Sequence, residues 1–217
     1  MFKPSLFILS LMILSPLNLL VGQLLSTDNS WSGANAPWSS PLEWDLGILP
    51  GANNSRAVIN SGNPLLQSQE TIPGLRLSGG TLTLEEKLSL AGDGDANTPD
   101  LEISGGTLDG PEKLILTNNT TGHIEESFTL NTTIENRGIL SIGNNATLGS
   151  NSGKMGTIAN LGSLNLLTTT TRINTSISLQ NNGLVHKQSE GTTTFHGPAF
   201  NIEGAMISSD GTLEFTN

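Results

Sequence analysis

The stretch Leu75-Arg76-Leu77-Ser78-Gly79-Gly80-Thr81-Leu82 recurs as Leu101-Glu102-Ile103-Ser104-Gly105-Gly106-Thr107-Leu108, 26 residues further on. The match resumes at the same offset, where Glu86-Lys87-Leu88-Ser89-Leu90 answers Glu112-Lys113-Leu114-Ile115-Leu116. A repeat of this length is a unit that cannot bury its apolar face alone and must stack on a neighbour. Within each copy the apolar residues alternate, Leu75 with Leu77, Leu82 with Leu84, Leu88 with Leu90. That is the period of a strand with one face buried. Gly79-Gly80, and the loop from Gly92, break the runs as turns require.

Downstream of residue 26 no segment keeps a helical apolar period for three turns. Each strand is about 3–5 residues long, too short for a sheet of its own. Stacking coil on coil solves this by pairing each strand in parallel with its copy, about 4.8 Å away. The expected fold is therefore all-β, a right-handed parallel β-helix (β-solenoid) of about 6–7 coils. In this register Arg76 lies beside Glu102, while Glu86 meets Glu112 and Lys87 meets Lys113. Exposed pairs of this kind are worth about 0–1 kcal/mol, so charge does not decide the register.

From residue 134 the pattern changes. Ile134-Glu135-Asn136-Arg137-Gly138-Ile139-Leu140 recurs as Ile158-Ala159-Asn160-Leu161-Gly162-Ser163-Leu164 after 24 residues. It recurs again as Leu179-Gln180-Asn181-Asn182-Gly183-Leu184-Val185 after 21. Gly permits a corner with positive φ, and Asn tolerates similar angles while stacking its amide on the next coil's. Asn136, Asn160 and Asn181 are expected to form an internal structural ladder.

The first 26 residues differ from the rest. Lys3 precedes an apolar run from Leu6 to Val21, interrupted by Pro16 and Asn18. This reads as a secretory leader over 1–26 rather than a membrane span, which needs about 20 apolar residues. Cleavage is expected after Gly22 or near Ser26. The chain has no cysteine, so neither disulfides nor Cys-based metal sites or nucleophiles are available. Nine basic residues face nineteen acidic ones, for a net charge of −10. That balance argues against nucleic acid as partner and against attraction to anionic membranes.

Residues 27–65 hold all three tryptophans, Trp31, Trp38 and Trp44, with Pro37, Pro41, Pro50 and Pro64 between and after them. The run Leu42-Glu43-Trp44-Asp45-Leu46-Gly47-Ile48-Leu49-Pro50-Gly51, followed by Arg56-Ala57-Val58-Ile59, resembles the opening segment of exported bacterial β-helix surface proteins of the autotransporter-passenger type. Glu43 stands where those segments usually carry Asn, Asp45 where they carry Ser, and Ser55 where they carry Asp. The apolar-x-Asn-x-Gly-x-apolar rung likewise resembles the coils of filamentous adhesins and autotransporter passengers. The resemblance implies a cell-surface or secreted location and a structural or adhesive role. Physically, three aromatics can cover the open end of a leucine core; a carbohydrate-stacking platform is the alternative.

Chemistry-bearing motifs are few. Asp93, Asp95 and Asn97 sit at the spacing of positions 1, 3 and 5 of a calcium loop. Thr98 stands where position 6 needs Gly, and Ser104 where position 12 needs Glu. They remain candidate ligands for an irregular Ca²⁺ site, against a solvated turn. A flat threonine array would need Thr-x-Thr in every coil, but Thr81-Leu82-Thr83 becomes Thr107-Leu108-Asp109. Glu125-Glu126 is an adjacent pair, and neighbours on a strand point to opposite faces. His123, His186 and His196 have no carboxylate or Ser at motif spacing. Sequons occur at Asn53, Asn118, Asn119, Asn131, Asn145 and Asn174; in an Asn/Thr-rich chain they arise from composition alone.

These observations give a leader (1–26), a Trp/Pro-rich cap segment (27–65) and β-helix repeats (66–217). No catalytic or cofactor residues are assigned. The expected function is an exported, non-enzymatic surface or extracellular module, structural or adhesive. Its expected partner is an extracellular glycan or protein, without nucleic acid and without membrane insertion of the mature chain. A carbohydrate-active β-helix enzyme and a carbohydrate- or ice-binding module are the alternatives. Leu213 and Phe215 in the last rung suggest either continuation into further repeats or end-to-end self-association.

Overall fold

The computed structural model describes residues 27–217 except 96, 144, 145, 152, 168, 169, 202 and 217. The leader expected over 1–26, the sequon at Asn145 and the start of the threonine run at 168 lie outside the described residues. The chain winds into a β-solenoid with three faces. Leu75–Leu77 lies on the first, Thr81–Leu84 on the second and Leu88–Leu90 on the third; Leu101–Ile103 then returns to the first. Each of these strands pairs in parallel with its counterpart one turn away. The third face is a seven-stranded sheet, one strand per turn. The other two faces form one 15-stranded sheet, because Leu184–Phe195 runs through the corner and belongs to both.

The register is the one the repeat predicts. Leu75 pairs with Leu101, Arg76 with Glu102, Leu82 with Leu108 and Leu88 with Leu114. Turns are nevertheless unequal, since Leu101 pairs with Gly122 and Gly122 with Leu140. The turn from Leu75 to Leu101 is longer because the loop after Leu90 bulges out before Leu101. Leu82 and Leu108 are fully buried, and Thr83 between strand neighbours Leu82 and Leu84 points out and is half-buried. The buried leucines and isoleucines of the turns belong to one hydrophobic cluster. The like-charged contact expected between Lys87 and Lys113 is relieved, because Lys113 pairs with Glu135 on the following turn.

On the third face one inward column runs Ile72, Leu90, Leu116, Asn136, Asn160, Asn181. The core therefore changes chemistry halfway along without changing backbone. Asn136 Nδ2 donates to Asn160 Oδ1 at 2.8 Å, and Asn160 Nδ2 to Asn181 Oδ1 at 2.7 Å. The same nitrogens reach the next corner, at Ser163 O (2.9 Å) and Leu184 O (3.0 Å). All three side chains are buried, so each bond is made where leaving it unmade would be costly. Asn136 Oδ1, facing the leucine end of the column, is buried with no hydrogen-bond partner among the described residues.

The accompanying glycines have a different reason from the expected one. Gly138, Gly162 and Gly183 do not adopt positive φ. A Cβ on Gly162 would run into the carbonyl of Gly138, and one on Gly183 into that of Gly162. These carbonyls accept from the following turn, Ser163 N to Gly138 O at 2.9 Å and Leu184 N to Gly162 O at 2.8 Å. Glycine is needed there for close approach of backbones. Left-handed corners do occur in the leucine turns, at Gly80 (φ 69°) and Gly106 (φ 79°).

The tryptophan segment folds onto the core as expected. Trp31, Trp38 and Trp44 are each at most 5% exposed and belong to the same cluster as the leucines. Trp44 meets Trp31 and Trp38 edge-on, with centroids 4.9 and 4.8 Å away. The three departures from the resembled pattern all make bonds in the cap: Ser32 Oγ donates to Glu43 Oε2 (2.5 Å), Ser30 N to Asp45 Oδ1 (2.8 Å) and Ser55 Oγ to Ala52 O (2.8 Å). Strand Thr27–Ser30 extends the first face by pairing with Ser55–Ile59. At the other end, Ala205–Phe215 pairs with Leu184–Phe195 and is mostly exposed. Phe215 stacks on Phe195 at 5.1 Å.

Candidate functional site

The repeat converts one residue per turn into a column on the outer surface. On the first face that column reads Arg76, Glu102, His123, Ser141, Asn165, His186. These residues are far apart in sequence and share a face only because the coils are in register. Arg76 Nε donates to Glu102 Oε2 at 2.8 Å, which neutralises one end of the column. The strip beyond it carries polar side chains.

Where the first face turns into the second, the column borders a groove of about 660 Å³. His123, Glu125, Glu126, Ser127, Ser141, Gly143 and Leu167 line it. The sequence expectation for Glu125-Glu126 does not hold. The pair lies between strands Thr121–Ile124 and Phe128–Leu130, in the corner, where strand alternation does not apply. Both glutamates are exposed and line the same groove. Glu125 Oε1 stands 4.0 Å from His123 Nδ1. Ser141 is 6% exposed, and its hydroxyl has no hydrogen-bond partner among the described residues. Gly143 also lines the groove, and its N–H donates to Ile124 O at 2.7 Å. Exposed Leu167 supplies an apolar wall.

The other histidines find partners one turn away. His186 Nε2 lies 3.1 Å from Ser209 Oγ, and His196 Nδ1 lies 2.7 Å from Thr216 Oγ1. A Ser–His pair invites comparison with an activated nucleophile. Here Gln188 Nε2 points at His186 Nδ1 (2.9 Å) and at Asn165 Oδ1 (3.2 Å). Nδ1 then accepts, so Nε2 carries the proton and donates to Ser209 rather than accepting from it. The Ser209 hydroxyl proton goes to Lys187 O at 3.2 Å. The arrangement cross-links turns and does not generate an alkoxide.

Two charged groups are held inside or against the wall. Lys187 is fully buried, in the inward column that elsewhere holds Ile103, Ile124, Ile142 and Leu166. Its Nζ donates to Ser189 O (2.6 Å), Ser189 Oγ (2.7 Å) and Glu190 O (3.2 Å). Burial lowers its pKa, with Asp210 pulling the other way. Alternation from Val185 placed Lys187 inward, and that signal was there to be read. Glu135 is 6% exposed. Burial raises its pKa, but hydrogen bonds from Lys113 and Arg137 outweigh that and hold the carboxyl below its ordinary value. Both are structural clamps.

The calcium-spaced residues form a self-capped loop. Asp93 Oδ1 accepts from Asp95 N at 2.8 Å, and Asp95 Oδ1 from Asn97 N at 2.9 Å. These are Asx-turns, which Asp and Asn form without a metal. The backbone N–H of Asn97, then the Thr98 hydroxyl, hold the Asp95 carboxyl below its usual range. Asp100 anchors the loop by accepting from Asp93 N (3.2 Å) and Thr121 N (2.8 Å), and burial raises its pKa. Among the described residues no three His, Asp or Glu side chains converge as a metal site, and no helix is long and apolar enough to cross a membrane. No protein-family model matches the chain, and comparison with curated proteins and with solved structures gives no match.

Proposed function

We propose that this chain is an exported, non-enzymatic β-solenoid that acts as a surface or extracellular module, structural or adhesive. The observation that carries the reading is the registered outer column from Glu102 to His186 beside the groove at the 125–127 corner. A rigid rod with one such strip binds by presenting an extended surface. The Trp-rich segment and the Asn-Gly rungs, which resemble those of exported β-helix surface proteins, support the location. Tagging the chain in its own cells tests export: recovery at the surface or in the medium with the leader removed is expected. Retention inside the cell with residues 1–26 attached overturns it. Attachment of chain-coated beads to glycan or matrix-protein surfaces, above that of uncoated beads, tests adhesion.

A carbohydrate-active enzyme is the second reading, favoured by one observation. Glu125 and Glu126 line a single groove, and glycoside hydrolysis works with two carboxylates at a cleft. Release of reducing ends from a panel of polysaccharides, abolished by Glu126→Gln, would select this reading over the first.

A further inference from the structure

The geometry points to the groove at the 125–127 corner as a binding site for an uncharged or amine-bearing saccharide unit; this rests on the adhesive reading above and names its ligand. The first observation is the cavity itself, about 660 Å³, within the usual size of small-ligand sites. The second is independent of the acidic pair. Ser141 is nine-tenths buried, lines the groove, and its hydroxyl is without a hydrogen-bond partner among the described residues. The residue is buried but its hydroxyl opens to the groove rather than being sealed in the core, so it is available to a ligand.

The lining sets the ligand's chemistry. Glu125 and Glu126 accept hydrogen bonds and donate none when ionised. Ser127, Ser141 and His123 can accept as well as donate. The groove therefore asks for a ligand rich in donors, and vicinal hydroxyls meet that demand. Leu167, exposed and lining the groove, offers an apolar surface for the C–H face of a sugar ring. Among the described residues neither Lys nor Arg lines the groove, and the chain carries a net charge of −10. Anionic sugars such as uronates are therefore repelled, while an amine in place of a hydroxyl would gain a charge-assisted bond to a carboxylate.

The test titrates the full chain with three probes: neutral cello-, manno- and chito-oligosaccharides, de-N-acetylated chito-oligosaccharides with free amines, and oligogalacturonates. Binding by at least one of the first two, and weaker binding by the third, is expected. Glu126→Gln and Ser141→Ala should each weaken it about tenfold, the loss of one good hydrogen bond. Gly143→Leu should abolish it. A Cβ at Gly143 meets Ile124 O at 3.5 Å and Glu125 Cγ at 3.7 Å, ordinary contacts, so this variant fills the groove while the fold stands. Glu86→Gln, on an exposed corner elsewhere, should change nothing. Tighter binding of the uronate probe, binding unaltered by all three groove variants, or no binding of neutral and amine-bearing probes at millimolar concentration overturns the assignment. If groove variants coat beads that still attach to surfaces, this assignment fails while adhesion stands. If the chain stays inside the cell, export fails whatever the groove binds.

Discussion

The leucine turns (residues 75–116) and the asparagine turns (134–181) share one backbone path and differ in what fills the third face's inner column. In the first, Ile72, Leu90 and Leu116 stack; in the second, Asn136, Asn160 and Asn181 do. Leucine contacts are non-directional and scale with area. A chain of amides has a direction, each Nδ2 donating to the next Oδ1, and a slip by one residue would turn that strand's amide away from the ladder and break its bonds to both neighbours. The leucine turns thus hold by volume and the asparagine turns by register. The junction shows the cost of mixing them, since Asn136 Oδ1 faces Leu116 and has no partner among the described residues.

The largest effect is expected in the leucine turns. Leu82→Ala or Leu108→Ala should cost about 2–5 kcal/mol, because each leaves a cavity in a fully buried stack. Thr83→Ala, one residue along and pointing out, should cost under about 0.5 kcal/mol. Denaturant unfolding of the three variants checks this, and comparable losses at 82 and 83 would mean that the strand faces the other way.

Asn160→Ala should come next, at about 2–3 kcal/mol. It removes the middle of the ladder: Asn136 Nδ2 is left with Ser163 O, Asn181 Oδ1 is left with the N–H of Gly183 at 3.3 Å, and Leu184 O loses the amide it accepted from. Asn160→Leu sharpens the contrast. If the two halves differed only in volume, leucine at 160 would restore stability; if direction matters, it will not. Leu90→Met, the matching change in the leucine half, should cost under about 1.5 kcal/mol.

Lys187 tests whether the later turns tolerate charge where the earlier ones hold isoleucine. Burial lowers its pKa from 10.5, so the folded chain releases its proton at lower pH than the unfolded chain. Between the two values the unfolded state binds more protons, and stability rises with pH. The gain is complete above 10.5 and is lost as pH falls through the folded value. Wild type should therefore gain on Lys187→Met as pH is raised through the alkaline window below 10.5. Thermal unfolding of both across that window measures it; a constant difference would mean that the ammonium sits inside without penalty.

The repeat was legible because it fixes spacing: the 26-, 24- and 21-residue offsets are the observed pairings Leu75–Leu101, Ile134–Ile158 and Ile158–Leu179. The amide ladder followed from the same register. The groove was not legible, because corners obey no period. Glu125 and Glu126 converge where strand alternation stops, and His123 meets Ser141 only because an 18-residue turn returns it there. His186 gains Ser209 from the next coil, a contact that linear motif spacing does not describe. The glycines were placed correctly but for a reason of torsion, whereas the structure needs them for backbone approach.

The smallest expected effect lies on the outside, and it asks whether charge helps to set the register. Arg76 sits beside Glu102 across adjacent turns, with Nε to Oε2 at 2.8 Å, and also reaches Asp28 at 3.3 Å. Both members are about one-third exposed, Arg76 at 34% and Glu102 at 30%. Water and salt screen such a pair, and holding two long side chains in one geometry costs entropy. A double-mutant cycle with Arg76→Ala and Glu102→Ala should return a coupling of about 0.2–1 kcal/mol. Raising the salt to molar concentration, where the screening length falls to about 3 Å, should shrink it further. The Leu75–Leu101 and Leu77–Ile103 pairs flanking it are buried and far outweigh that value. A coupling above about 2 kcal/mol, insensitive to salt, would reverse the ranking, giving the outer charge a share in fixing which turn meets which.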